Sequence, residues 1–541
     1  MKKIVLFIIL HLIGYNLSAQ HNYSKDLLIE DFREYIDFLE EVHCDPYSPF
    51  GGKIQFHREV QNIIDSIPEN GLDEAAFRSI ISKFNSTLQD GHTFILNENR
   101  QDVTNDQILN MKFKILHHDL AVSQSRNGKL NGLKITAIND IPLDELLKRV
   151  QTIKACENIS GVYLSLVEIL MRKSSAEKLL GQIDNNRIKL DFLDNRTNQQ
   201  TEYIEYTDLN ERKIQPNTSL FNVNISKTIP FEYKYIDENK KIVWMAYNST
   251  YSREVIEFQK QWGQDYTNNL NILYQAFNLG EVPQDYTEAI TKIPSLNETF
   301  YTMLKSMKQH KSTHLIIDLR ENGGGWNPIN IPSLYMMKGD TYFGYDTKAA
   351  YITLLSKPFL EKINTTIEEY NSRNNTTYTI GDYSFSRFFN SWNENLSLGE
   401  RRVQYLENNF SKDFSGIDLL KELDGEALYT PKVIVVTSAA TFSAAFQYAF
   451  LLKEVCNATI VGVPSSQAYN SGMGTTFYSL THTGIKGSVS NSYQLFDPDN
   501  TVKDRMLHPD YPLLWEDFIR FDSNDDAEIL YILDLINKRK I

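Results

Sequence analysis

The chain has 541 residues, 41% hydrophobic and 23% charged, with a net charge of −14. That length exceeds what one hydrophobic core serves and implies two to four domains, while the surplus of acid argues against non-specific nucleic-acid binding. Three cysteines, Cys44, Cys156 and Cys456, are too few for a disulfide framework, with one bridge at most.

Lys2 and Lys3 precede an apolar run from Ile4 to Ile13, and Ser18-Ala19 precede Gln20. This pattern predicts a secretory signal peptide over residues 1–19. No later run is long and apolar enough to span a membrane, so the mature chain is expected in a periplasm or outside the cell. Residues 20–110 form a predicted helical region. Leu28, Phe32, Ile36 and Leu39 recur at helical spacing, as do Phe77, Ile80, Ile81 and Phe84. Asp45-Pro-Tyr-Ser-Pro-Phe50 is a loop between them, and Gly91 reads as the helix stop.

From 111 to 240 the pattern shifts to short strands. These include Leu133–Ile138, Arg187–Leu193 and Glu202–Tyr206, with a helix over Leu143–Val150. From 241 to 541 strands and helices alternate, which argues for an α/β core. Its strands are Ile242–Tyr247, Leu315–Leu319, Val433–Val436 and Thr459–Val463. Its helices are Phe300–Met307, Ile329–Met337 and Ser443–Lys453. A stretch over about 345–425, rich in Tyr, Asn and Ser, interrupts the alternation. It reads as a peripheral decoration or as a lid.

Two segments carry the chemistry. His314-Leu-Ile-Ile-Asp-Leu-Arg-Glu-Asn-Gly-Gly-Gly-Trp326 is a buried strand that runs into a glycine turn. Val433-Ile-Val-Val-Thr-Ser-Ala-Ala-Thr-Phe-Ser443 is a strand that runs into a helix start. Glycine permits close backbone approach. A serine beside backbone donors is an arrangement suited to acyl transfer. There is no HExxH, P-loop or GxGxxG motif, and no cysteine or histidine spacing typical of a metal site. No metal or organic cofactor is therefore expected.

Four elements resemble the tail-specific (C-terminal processing) serine protease family, in the branch that includes the tricorn core protease. They are His43-Cys-Asp-Pro-Tyr47, Asp90-Gly-His-Thr93, Asp318-Leu-Arg-Glu-Asn-Gly-Gly-Gly325 and Thr441-Phe-Ser-Ala-Ala445. The resemblance runs from about residue 28 to the C-terminus. It implies a crotonase-like α/β core of mixed sheet and helices, an N-terminal helical cap and a PDZ-like module between them. It implies Ser443 as nucleophile, with the Gly324 and Ala444 amides as oxyanion donors and a polypeptide as substrate.

One branch of the family takes its base from a lysine about 25 residues after the serine. No lysine lies between Lys453 and Lys486. The other branch uses a histidine of the cap, and His92 fits it, with an imidazole pKa suited to neutral pH. The serine that precedes this histidine in the family is Gly91 here. The family's acidic residue after the nucleophile has three candidates, Asp497, Asp499 and Asp504. Asp318, Arg320, His43 and Asp510 read as structural. The reading is a secreted serine endopeptidase. An inactive peptide-binding protein and a hydrolase of non-peptide esters are its rivals.

Overall fold

The computed structural model describes residues 22–96, 106–211, 226–345, 348–387, 395–409 and 414–541. The predicted signal peptide lies outside them. No helix among the described residues is long and apolar enough to cross a membrane.

Three helices build the N-terminal cap: Lys25–Val42, Lys53–Ser66 and Glu74–Leu88. Leu28, Phe32, Tyr35, Ile36, Leu39 and Val42 are buried along the first, the face that three- and four-residue spacing creates. The third helix stops at Gln89, whose φ of 50° is left-handed, rather than at Gly91. The cap does not close its core alone. Tyr478, Leu480, Ile485 and Val489 of a distant hairpin pack into it.

The middle region is a seven-stranded antiparallel sheet. Its long pair, Arg187–Leu193 and Gln199–Thr207, is in continuous register from Leu193↔Gln199 to Arg187↔Glu205. Helices Leu143–Gln151, Ile159–Met171 and Lys173–Leu180 bury Leu146, Val150, Leu166 and Leu170 against this sheet. The last two helices were not foreseen. Helix Ile159–Met171 is apolar on most sides, so it shows little amphipathic periodicity to read.

The C-terminal core is a six-stranded sheet in the order Phe231–Tyr235, Ile242–Tyr247, His314–Asp318, Lys432–Thr437, Thr459–Gly462, Tyr511–Pro512. All pairs are parallel except the first. The central strands are apolar throughout because helices cover both faces. Leu296–His310 and Ala444–Cys456 pack on one side, and Ala527–Asn537 on the other. This is the expected α/β class. The three cysteines are all free, so the bridge that the count permitted is not made.

The stretch over 345–425 is not a mere decoration. Its strands Ala350–Leu354 and Tyr383–Arg387 join Ser492–Leu495 and Asn470–Met473 in a four-stranded sheet. Tyr351, Thr353 and Ser386 of that sheet line the same cavity as Ser443.

Arg320 locks the core from below. It is 6% exposed and bonds Asp318 at 2.7 Å, Asp526 at 2.9 Å and Glu528 at 2.8 Å. Burial opposes its charge, but these three carboxylates hold the guanidinium protonated. Asp318 also accepts the Trp244 indole N–H at 3.1 Å. The Asp-Leu-Arg part of the glycine motif is therefore structural, as expected.

Candidate active site

Ser443 stands between strand Lys432–Thr437 and helix Ala444–Cys456. Its backbone has φ 52° and ψ −123°, a conformation that costs a non-glycine residue about 1–3 kcal/mol. Neighbours hold it there. The Ser443 amide donates to Gln467 Oε1, and the Ser438 and Thr441 hydroxyls donate to the carbonyls of Arg320 and Leu319 at 2.6 and 2.8 Å. Ser443 starts its helix, yet its hydroxyl makes no capping bond. It is turned outward instead, toward His92.

The glycine turn explains itself at Gly324, where φ is 100°. A Cβ there would stand 2.6 Å from Ser443 Cβ and 2.8 Å from the Ala444 nitrogen. An oxyanion held by the Ala444 amide needs that same space, since donors sit about 2.7–3.1 Å from it. The Gly324 amide itself donates to Asn322 Oδ1 at 2.9 Å. The expectation that it is a free oxyanion donor is therefore not met in this conformation. Asn322, fully buried, shapes the turn and also donates to the Tyr247 carbonyl at 2.9 Å.

His92 reaches the nucleophile from the cap. The chain after it, Phe94–Ile95, adds as a third strand to the hairpin Thr476–Ser479 and Lys486–Val489. The Ser488 hydroxyl donates to the His92 carbonyl at 2.8 Å. His92 Nε2 then lies 3.2 Å from Ser443 Oγ, across 351 residues of sequence. The ring stacks on Phe442 at 4.9 Å. A side chain at 91 would strike that phenyl ring, since a Cβ there would lie 2.7 Å from Phe442 Cζ. Glycine at 91 therefore leaves room for that ring.

His92 is 8% exposed. Burial lowers its pKa below the usual 6.5, while Asp90 and the Gly472 carbonyl pull the other way. Its Nδ1 is buried without a well-formed hydrogen bond.

Asp90, 3% exposed, anchors the base loop. One oxygen accepts the His92 amide at 2.9 Å. The other accepts the Thr93 and Ser490 hydroxyls at 2.6 Å each and His43 Nε2 at 3.2 Å. Burial alone would raise its pKa, but the His43 bond, the two histidines and Ser490 hold it well below the usual range. His43 is thus a support for Asp90.

Glu157, also 3% exposed, lies behind the same loop. It accepts the Gly91 amide at 3.0 Å and the Ala468 amide at 2.8 Å. A ligating atom from each of Asp90, His92 and Glu157 falls within 4.8 Å of the others, the one such cluster among the described residues. All four carboxylate oxygens already accept hydrogen bonds. They form a hydrogen-bonded network rather than a set of free ligands.

The three acidic candidates after the nucleophile do not join this site. Asp497 accepts the Val502 amide at 2.7 Å, Asp499 pairs with Lys348 at 2.6 Å, and Asp504 pairs with His508 at 2.7 Å. Lys453 pairs with Asp510 at 3.3 Å, which also accepts the Ile460 amide. Sequence reasoning missed Asp90, Glu157 and Gln467. Asp90 lies inside a quoted motif, so its signal was present. The other two carried none.

A cavity of about 500 Å³ opens over Ser443, lined by His92, Gly325, Asn327, Tyr351, Met473 and Ser492 among others. A smaller one, of about 380 Å³, lies in the middle region against Arg126, Lys129 and Arg187, and is lined by none of Ser443, His92, Asp90 and Glu157.

Residues 287–511 match the model of peptidase family S41. No curated protein matches the sequence. Among solved structures, mature CPAF complexed with lactacystin is 13% identical, with a TM-score of 0.52 over 95% of this chain and 99% of that one. Mature CPAF alone is 12% identical, with a TM-score of 0.52 over 91% and 94%. At such identity these likenesses speak for the fold. The family match spans both the glycine turn and Ser443, and it supports a serine-type peptidase.

Proposed function

We propose that the chain is an exported serine endopeptidase in which Ser443 is the nucleophile and His92 the general base. The observation that carries this is the 3.2 Å approach of His92 Nε2 to Ser443 Oγ at the floor of a cavity. Ser443 Oγ attacks the scissile carbonyl and its proton passes to Nε2. The tetrahedral oxyanion is received by the Ala444 amide, which starts a helix whose dipole favours negative charge. Gly324 contributes the open space above that amide. His92 then gives its proton to the leaving amine, and water reverses the sequence on the acyl-enzyme.

The pH dependence tests the base. His92 must be neutral to accept a proton, and burial holds its pKa below 6.5. Peptide cleavage is therefore expected to rise with pH on a limb centred below 6.5 and to reach a plateau near neutrality. Absence of this limb, with cleavage rising only well above that value, would assign the proton transfer to another group.

Export is proposed from the positive and apolar pattern of residues 1–19. The protein recovered outside the cytoplasm should begin at Gln20 on N-terminal sequencing. Recovery from the cytosol with Met1 in place would sink this part of the reading.

A further inference from the structure

We infer that Glu157 is the acidic positioning residue of this site, supplied by the middle region instead of the segment after the nucleophile. The inference rests on the Ser443–His92 reading. A histidine base gathers positive charge as it takes the serine proton, and an acid beside the ring holds its orientation and stabilises that charge. The family's candidates for this role, Asp497, Asp499 and Asp504, are engaged elsewhere.

Two carboxyls do stand at the ring. Asp90 has one oxygen on the His92 amide and three donors on the other. Glu157 accepts one backbone amide at each oxygen, which leaves each with a lone pair. It is near a ring whose Nδ1 is buried and poorly bonded.

The placement of Glu157 ties the whole site together. Gly91, which donates to one oxygen, precedes the base. Ala468, which donates to the other, follows Gln467, the residue that holds the Ser443 amide. The next residue, Asn158, donates from its Nδ2 to the Ser465 and Gln467 carbonyls at 3.0 and 3.2 Å. Base loop and nucleophile support are thus both docked on one short segment of the middle region.

The titratable groups facing Glu157 are Asp90, His92, Arg505, Tyr493 and the adjacent Cys156. Burial first, and then Asp90, push its pKa up to about 8, against the two amides and Arg505. At neutral pH it is largely a protonated acid. Above pH 8 it is a carboxylate that favours the imidazolium, so turnover should rise a second time there.

The test is the pH profile of kcat and KM from pH 5 to 9.5 on a peptide, for the wild type, Glu157→Gln and Glu157→Asp. Fluorophosphonate labelling of Ser443 runs alongside. The wild type should show a second step near pH 8 with KM unchanged. Glu157→Gln should lose that step and fall by about tenfold or more at pH 9, one pKa unit of differential interaction being a factor of ten. Glu157→Asp should keep the step at a shifted pH, and it serves alone if the Gln variant does not fold. A Gln variant that keeps the second step, or that loses the same factor at pH 6 and pH 9, would overturn the role. So would an Asp variant with an unshifted step. If His92→Ala labels as fast as the wild type, the underlying Ser–His reading fails. If only Glu157→Gln behaves as wild type, this inference alone fails.

Discussion

Ser443→Ala should reduce peptide turnover by roughly 10⁴–10⁶-fold, because nucleophile and base act as one unit. His92→Ala should cost a comparable factor, and the double variant should be little worse than either. Non-additivity is the sharper test, since it follows only if the two groups share one proton transfer. The loss is one of chemistry and not of folding. The Ser443 hydroxyl makes no cap, so its removal should change stability by less than about 0.5–2 kcal/mol, the worth of a lost cap. Ser443→Gly should even be stabilising. It releases about 1–3 kcal/mol of strain at φ 52° against about 0.5–1 kcal/mol of glycine entropy. Turnover of one peptide by the wild type, Ser443→Ala, His92→Ala and the double variant checks the first half, and chemical denaturation of the wild type, Ser443→Ala and Ser443→Gly checks the second. Equal turnover by wild type and Ser443→Ala would end the assignment. A wild type that cleaves small esters but no peptides would move it to a different substrate class.

Arg320→Ala should be the most damaging substitution away from the cavity, costing about 3–5 kcal/mol. The guanidinium is the shared partner of Asp318, Asp526 and Glu528. Its removal leaves buried carboxylates facing one another, with Lys114, 2.6 Å from Glu528, as the remaining cation paired with them among the described residues. These acids come from strand His314–Asp318 and the start of helix Ala527–Asn537, so the damage falls between two layers of the core.

Acid sensitivity gives a second readout. Burial opposes the Glu528 charge, but Lys114 and Arg320 lower its pKa from 4.5 to about 2. A carboxyl depressed in the folded state stabilises above its unfolded pKa. That contribution is fully present above 4.5 and lost as pH falls toward about 2. Arg320→Ala should shrink this limb. Denaturant midpoints at pH 7 and pH 3 that move in parallel for wild type and variant would show that the network adds nothing.

Sequence alone determined the elements whose burial follows their own period. Strands Ile242–Tyr247 and His314–Asp318 and helix Ala444–Cys456 were legible because each carries its apolar residues within a few positions. The same holds for Gly324, whose φ of 100° calls for glycine, while Ser443 was legible from its place between strand and helix, against the preference of its own backbone. The vacancy of the lysine position pointed to His92 through the resemblance.

Tertiary structure decided the rest. His92 meets Ser443 only because Phe94–Ile95 joins a hairpin nearly 400 residues later, as Ser488 bonding to His92 across 396 positions shows. Glu157 and Gln467 reach the site through three hydrogen bonds from backbone amides of other segments, two to Glu157 and one to Gln467. Such contacts impose no periodicity and leave no trace along the chain. Strand Ala350–Leu354 was likewise illegible, because its partner Ser492–Leu495 lies more than a hundred residues away. Local patterning records which face of an element is buried. Register between distant strands decides which buried faces meet, and the catalytic geometry belongs to the second.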